Sequence, residues 1–366
     1  MEFGVRVVDA TWRREDQAML HLGIDLHQYQ ITIVILNDAG EVVRRATVRT
    51  KPPAIDEFLA SVNAMARSAG GYRAVIESCG FEHWLVEKLK IHGCSLTVVV
   101  QPLKRARHKT DKRDAASLAE LLWVNRERLQ DGQRVHGIRQ VLIPSETDRQ
   151  DRMLTSHQIE ISRQQTRVIN QIKSILRRFN LMHDCPTKGF KTKKARAWLR
   201  TLDLPEVDKI VLDLAIARWE LIEQQLARIE LEVERHAEQN AAAQLLKTIP
   251  GVGNLTALAL ASRIGPIERF PRPASLANMF GLTPSINDSG ETTGRLGNIT
   301  KNGHPNVRYL LGQVVAHLAR KDRAIREVRR KIRKRRGSKT ALVAIMRRIA
   351  CRIWHMLQTG EAYRVT

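Results

Sequence analysis

The chain has 366 residues, more than the roughly 100 to 200 of a usual domain, so two or three folded units are expected and a lone mini-domain is excluded. Sixty-one Lys and Arg against 38 Asp and Glu leave a formal charge of +23, a surplus that normally answers a polyanion or an anionic membrane surface. No apolar stretch approaches the ~20 residues of a membrane span, and 5% aromatic content argues against long stacking platforms for single strands.

Residues 1–18 carry Glu2, Arg6, Asp9, Arg13, Arg14, Glu15 and Asp16 with no apolar h-region, which argues against a signal peptide. Met19-Leu20 stands just before the first strand, so 1–18 reads as an extension, either a mis-assigned start or a disordered tail. Mixed α/β patterning follows over 19–124. Strands are expected at 21–27, 31–36 and 41–50, with Asn37-Asp38-Ala39-Gly40 turning between the second and third. Ile55, Phe58, Leu59, Val62 and Met65 give a helix over 54–68, followed by strand 72–77, helix 81–91, strand 95–100 and a helix opening near Thr110. The order βββαβαβα places one mixed sheet at the front of the chain.

Segment 125–243 reads as a polar linker, to about Glu146, and then two coiled-coil arms. Leu154, Ile161, Val168, Ile172, Ile175 and Phe179 form one helical stripe, and Leu212, Ile216, Trp219, Ile222, Leu226, Ile229 and Val233 form the other. Residues 185–194 are the basic connection between them. The last unit, 244–366, holds an apolar helix at 256–264, a short helix at 276–280, a loop with five glycines from Gly281 to Gly303 and a helix at 305–320. Eleven Lys or Arg then fall between Arg320 and Arg336, against Asp322 and Glu327, before a closing amphipathic helix at 342–357. Cys79, Cys94, Cys185 and Cys351 are far apart with no zinc spacing and read as reduced thiols, consistent with a cytoplasmic setting.

Chemistry is carried first by carboxylates. Alternation over 21–27 puts Leu22, Ile24 and Leu26 on one face and Gly23, Asp25 and His27 on the other. Asp is depleted within strands, so Asp25 is either water-exposed or partnered, and Glu77 at the end of Ala74-Val75-Ile76-Glu77 poses the same choice. Asp111 and Asp114, at i and i+3 of an opening helix, lie about 5 to 6 Å apart at Cβ. Either both favour the positive end of the helix dipole or a divalent cation relieves their repulsion. Taken together, the four have the composition of a Mg²⁺ site for phosphodiester chemistry, since hard oxygen ligands suit Mg²⁺.

Basic groups come second. The run with Lys104, Arg105, Arg107 and Lys109, and the run 329–336 with Arg329, Arg330 and Lys331, suit phosphate binding or a solvated face. Pro250-Gly251-Val252-Gly253 before an apolar helix is like half of a helix-hairpin-helix, in which Gly251 and Gly253 let backbone approach phosphate, or else a plain start to a helix.

Gly23-Ile24-Asp25-Leu26-His27, Ile76-Glu77-Ser78 and Lys109-Thr110-Asp111-Lys112-Arg113-Asp114-Ala115, in βββαβαβα order, resemble the DEDD transposases of the insertion sequence 110 family. Ile249-Pro250-Gly251-Val252-Gly253, Phe280-Gly281-Leu282-Thr283-Pro284, Asp288-Ser289-Gly290 and Gly294-Arg295 through Ile299-Thr300-Lys301-Asn302-Gly303-His304 resemble that family's second domain. The resemblance covers about 21–357. It departs at Ser78-Cys79-Gly80, where relatives often have Ala then Thr or Ser.

That resemblance implies a RuvC-like, RNase H-like α/β domain, a helical coiled-coil insertion and a mostly α-helical carboxy-terminal domain. It implies Mg²⁺ held by Asp25, Glu77, Asp111 and Asp114, and Ser289 as a nucleophile that retains the cut strand as a phosphoserine ester. Local sequence alone reads Ser289 as a turn serine beside Ser285, Thr292 and Thr293. Further implications are donor and target DNA chosen by a bridge RNA, nucleic-acid contacts that include Arg295 and Lys301, a homo-oligomer (dimer or tetramer) with composite sites, and a bacterial, nucleoid-associated cytoplasmic location without membrane attachment. The residues alone also admit a metal-dependent, junction-resolvase-like nuclease using water, or a non-catalytic RNA- or DNA-binding protein.

Overall fold

Alternating aliphatic side chains build a sheet in the first unit, Met1–Ile143, of a computed structural model that describes residues 7–9, 19–67, 69–102, 111–133, 135–136, 138–190, 192–286 and 296–365. Its elements are β1 (Val7–Asp9), β2 (Leu20–Leu26), β3 (Gln30–Leu36), β4 (Val42–Arg49), α1 (Pro52–Arg67), β5 (Tyr72–Glu77), α2 (His83–Ile91), β6 (Leu96–Pro102), α3 (Asp111–Val124), α4 (Arg126–Gln130) and β7 (Ile138–Val141). The fold is mixed α/β, with a seven-stranded sheet in the order β1-β4-β3-β2-β5-β6-β7. Only the β2·β5 and β5·β6 pairings are parallel among the described strands.

Both faces of the central strands are covered. On one, Leu22, Ile24, Ile33, Ile35 and Ile76 pack with Ile55, Leu59 and Val62 of α1 and with Leu85 and Leu89 of α2, all fully buried. On the other, Val75, Val98 and Val100 meet Leu118 and Leu122 of α3, and Val34 and Leu36 meet Ala115 and Ala119. This two-sided burial explains why β3 reads as the nearly unbroken apolar run Ile-Thr-Ile-Val-Ile-Leu. Each such side chain contributes about 1.5 to 3 kcal/mol when buried.

Two stretches differ from their sequence reading. The polar linker after Asn125 contains α4 and β7. β7 pairs antiparallel with β6 from Val99↔Val141 to Pro102↔Ile138. Its middle residues, Arg139 and Gln140, are exposed, so this edge strand looks polar in sequence. Within the leading 1–18 extension, Val7–Asp9 adds β1 to β4, with Val7 opposite Ala46; the rest of 1–18 lies outside the described residues.

The second unit, Pro144–Thr366, is helical. Ser145 caps α5 (Glu146–Arg178) by accepting from the Asp148 amide at 3.0 Å. After it come α6 (Lys193–Thr201), α7 (Glu206–Gln239), α8 (Ala241–Leu246), α9 (Asn254–Ile264), α10 (Pro273–Met279), the hairpin β8 (Pro284–Ile286) and β9 (Leu296–Ile299), α11 (Pro305–Lys321) and α12 (Arg323–Thr359). The two expected stripes meet: Ile161, Val168, Ile172 and Ile175 of α5 share a core with Leu212, Ile216, Trp219, Ile222 and Val233 of α7. That core runs on without a break through Leu258 of α9, Leu311 and Val315 of α11, and Ile345 and Ile349 of α12. The arms and the carboxy-terminal helices are therefore built on one apolar interior, because α8 follows α7 after a single residue, Asn240, and keeps the chain at the same core.

α12 begins at Arg323, earlier than its amphipathic stripe suggested, and Gly337 interrupts its helical backbone with φ 83° and ψ 169°. Among the described residues no helix is long and apolar enough to cross a membrane.

Candidate active site

β2 delivers three of its residues, His21, Gly23 and Asp25, to the face covered by α3. Gly23 is required there. A Cβ at this position would overlap the Ala115 carbonyl oxygen and the Ala119 amide, so the missing side chain lets the α3 backbone lie directly on the strand. The far end of α3 is fixed where Trp123 Nε1 donates to the Asp38 carbonyl at 2.9 Å. With its last turn held at the β3–β4 turn, α3 runs opposite to β2 and carries its first turn toward Asp25.

Parallel pairing supplies the next carboxylate. β2 and β5 are in register through Ile24↔Ile76, so Asp25 and Glu77 follow at the next position, on the same face. Asp114 precedes Ala115, the α3 residue that meets Gly23. Asp25, Glu77 and Asp114 thus share one face and one end of the sheet. Asp111 is the first residue of α3, and its side chain lies outside the described part.

Asp25 has 13% of its side chain exposed and accepts from His27 Nε2 at 3.1 Å. Beyond Glu77, the Glu82 carboxylate accepts from the amides of Gly80 at 2.6 Å and Cys79 at 3.2 Å, fixing the loop that leaves β5. Among the described residues, no three or more His, Cys, Asp or Glu side chains stand close enough to hold a metal ion. The donor chemistry nonetheless fits a hard cation, because Asp25, Glu77 and Asp114 offer carboxylate oxygens alone. At the opposite end of β2, fully buried His21 gives Nε2 to Asp38 at 2.8 Å, and burial holds its pKa below the ordinary 6.5.

In the second unit Ser289 and Arg295 lie outside the described residues, as do Lys104, Arg105, Arg107 and Lys109 of the first. The base of the β8–β9 hairpin is described. Lys301 donates its amide to Gly281 O at 3.2 Å, and a Cβ at Gly303 would overlap the Met279 carbonyl. Lys301 is exposed and has φ 54°. Gly251, at φ 91°, faces the Cβ of His317 so closely that no side chain fits, which gives this glycine a packing role. Gly253 is the N-cap of α9, and its carbonyl accepts from Ala257. Arg329, Arg330 and Lys331 sit on the outer half of α12.

Sequence reasoning missed a group of arginines. Arg263, on α9, is 7% exposed and donates to Thr155 Oγ1 at 3.1 Å, Ala259 O at 3.1 Å, Ser156 Oγ at 2.7 Å and Arg152 O at 3.5 Å. Arg152 Nε donates to Ser262 O at 2.8 Å. Arg308 Nη1 donates to Phe280 O at 3.2 Å and Gly303 O at 2.5 Å. Arg163 donates to Asn306 Oδ1 at 3.0 Å. Burial, with Arg152 nearby, brings the Arg263 pKa down to about 10. The available signal was one cation inside the otherwise apolar run Leu258-Ala259-Leu260-Ala261-Ser262-Arg263-Ile264.

Two family models match the chain in order. One, described as "Transposase", matches residues 22–181, and the other, "Transposase IS116/IS110/IS902 family", matches 243–330. The chain is also similar to the transposase for insertion sequence element IS1111A of Coxiella burnetii, with 26% identity over 96% of this chain and 93% of the relative. A probable family 20 transposase of Pseudomonas aeruginosa is 25% identical over 79% of this chain and 85% of its own length. The transposase for insertion sequence element IS1328 of Yersinia enterocolitica is 23% identical over 65% and 68%.

Proposed function

The chain belongs to the IS116/IS110/IS902 transposase family, whose members cleave and recombine DNA, and from that premise we propose that it cuts and rejoins DNA strands through a serine-DNA intermediate assisted by Mg²⁺. The observation that carries the proposal is the placement of Asp25, Glu77 and Asp114 on one face and one end of the sheet. The core order β4-β3-β2-β5-β6, with β3 antiparallel and β5 and β6 parallel to β2, supports an RNase H-like, RuvC-like reading of the first unit.

In this reading Asp25, Glu77, Asp111 and Asp114 hold Mg²⁺. The bound ion supplies charge neutralisation at the phosphate and at the entering and leaving oxygens. Ser289 Oγ forms a bond to phosphorus as the bond to the leaving sugar oxygen breaks, and the proton that the serine hydroxyl gives up is passed, through solvent, to that oxygen. Because one phosphoester replaces another, the strand can be rejoined without a high-energy cofactor. His27 holds one oxygen of Asp25, Oδ2, by a hydrogen bond at 3.1 Å and so restrains its carboxylate.

Guidance by a bridge RNA, and a nucleoid setting in the cytoplasm, rest on the family resemblance stated above. A homo-oligomer has further support. Val207, Ile210, Leu214, Ala217 and Leu221 repeat at heptad spacing on the outer side of α7, and all are exposed. The proposed organisation keeps a catalytic unit over 19–124, arms over 125–243 and a nucleophile-bearing domain over 244–366, with Arg295, Lys301, Arg329, Arg330 and Lys331 on nucleic acid.

The test is an end-labelled element-end DNA incubated with Mg²⁺ and guide RNA, then resolved under denaturing conditions. Wild type should give a protein-linked strand. Ser289→Ala should lose that adduct, and Asp25→Asn should lose all cleavage, while both still bind DNA. Free ends from wild type and Ser289→Ala alike would decide for water as the nucleophile. Full cleavage in EDTA would remove Mg²⁺ from the proposal.

A further inference from the structure

Arg152, Arg163, Arg263 and Arg308 gather where α11 begins, beside His304, and their charges reach its ring: desolvation first, then these four guanidiniums, hold the His304 pKa below 6.5. Taking a charge out of water costs several kcal/mol, so buried cations normally face an anion. Here the acceptors of Arg263 and Arg308 are hydroxyl and carbonyl oxygens alone, and no carboxylate pairs with either among the described residues. The closest acidic partner in the group is Glu160, 3.8 Å from Arg163 Nη1.

The cluster is open on one side. Arg163 has 46% of its side chain exposed and stacks over the Tyr309 ring at 5.5 Å, while His304 and Lys301 are exposed. Arg308 uses only Nη1 in its hydrogen bonds, which leaves Nη2 for an outside acceptor, and Arg163 uses Nη2, with Nη1 3.8 Å from Glu160 and outside hydrogen-bond reach of it. Behind them Arg152 and Arg263 are fixed by the backbone and hydroxyls of α5 and α9, so their charge cannot move away. A site with rigid positive charge behind and unused guanidinium donors in front favours a dianion or a chain phosphate.

We infer that Arg163, Arg308 and His304 form a phosphate clamp for a DNA strand at the base of the β8–β9 hairpin, with Arg152 and Arg263 as the fixed charges that set its potential. DNA as the strand rests on the transposase reading above. The clamp positions the strand next to the hairpin and takes no part in bond making.

The experiment uses the full chain and a fluorescein-labelled DNA duplex of about 30 base pairs, with binding followed by anisotropy from roughly 50 to 300 mM KCl. Arg163→Gln should weaken binding about 10-fold at the lowest salt, for any sequence, and lower the log-log salt slope by ~1. Arg167→Gln is the control. It removes the same charge from an exposed side chain one turn further along α5 and should change affinity less than about twofold. Equal effects from the two variants would mean a diffuse field and overturn the clamp, as would no effect from Arg163→Gln.

Arg163→Lys should keep the slope yet lose several-fold in affinity, since an ammonium cannot offer the planar fork. If Arg163→Gln melts below wild type, Arg163→Lys alone decides, and wild-type affinity in that variant overturns the clamp. The same titration with an RNA duplex separates the polymers, and an Arg163 effect confined to RNA would overturn the DNA assignment. Binding needs neither Mg²⁺ nor Ser289, so loss of the covalent adduct hypothesis leaves this result standing, whereas a wild type that binds no DNA removes both.

Discussion

The acidic edge of the first unit and the basic cluster of the second are assembled in opposite ways. Asp25, Glu77 and Asp114 reach one place through strand register and one glycine, and the sheet itself does the positioning. Arg152, Arg163, Arg263 and Arg308 come from α5, α9 and α11, more than 100 residues apart in hydrogen bonds such as Arg263 to Ser156, and only helix packing brings them together. The difference teaches that an acidic site can be carried by strand register within one sheet, while the cationic one depends on the packing of three helices that are distant in sequence.

The strongest way to break that comparison is to deny α3 its seat. Gly23→Val places a Cβ, with two methyls to accommodate beyond it, where the Ala115 carbonyl and the Ala119 amide now lie. The first unit should lose roughly 3 kcal/mol or more, seen as an early transition in urea unfolding followed by near-UV dichroism. A loss below about 1 kcal/mol would show that the acidic edge does not depend on this close approach.

A smaller effect is expected from the basic side. Arg263→Ala removes the buried side-chain volume packed between α9 and α5 together with the donors to Thr155 and Ser156, and should cost the second unit about 2 to 3 kcal/mol. Arg263→Met keeps the volume of the side chain and ends the cost of a buried charge, so it should cost about 1 kcal/mol or less. Equal losses in the two variants, measured by urea unfolding, would mean that the charge and not the packing holds the helices.

The smallest effect concerns pH. Burial keeps folded His21 below 6.5, so below that value the unfolded chain binds the extra proton and the folded one resists it. Stability of the first unit should therefore fall as pH drops through about 6.5 and be regained as pH rises. His21→Gln should flatten this slope. His304 has the same sign in the second unit, so His304→Gln should flatten that unit's slope without touching the first.

Much of the first unit was legible because strands announce themselves locally. Leu22, Ile24 and Leu26 alternate with Gly23 and Asp25, and the turn Asn37-Asp38-Ala39-Gly40 is marked by its composition and closed by the Glu41 amide bonding Asn37 Oδ1 at 2.9 Å. β7 escaped because an edge strand with Arg139 and Gln140 outward has the composition of a loop. The β8–β9 hairpin escaped because its strands are three and four residues long inside a glycine-rich stretch. The arginine cluster was not legible at all. Arg263 looks like a cation in the last turn of α9, where the dipole favours it, and nothing near it in sequence names Thr155 or Ser156.

Gly337 divides α12 into two polymers with different electrostatic character. The outer part, 323–336, has nine Lys and Arg and one Glu, so a net +8 is spread over roughly 21 Å of helix at 1.5 Å per residue. That linear charge density approaches that of duplex DNA, with one charge per ~1.7 Å, and like charges at i and i+4 each oppose the helix by a few tenths of a kcal/mol. Arg323 relieves part of this by pairing with Glu327 at 3.1 Å. The inner part buries Ala341, Ile345, Ile349 and Ile353 and is held by the core. Because Gly337 has already left helical geometry, cooperative winding does not propagate across it. Ile325 and Val328 still seat the outer half on the core, so the glycine acts as a firebreak between a helix whose charge is tuned by salt and one whose winding is fixed by burial.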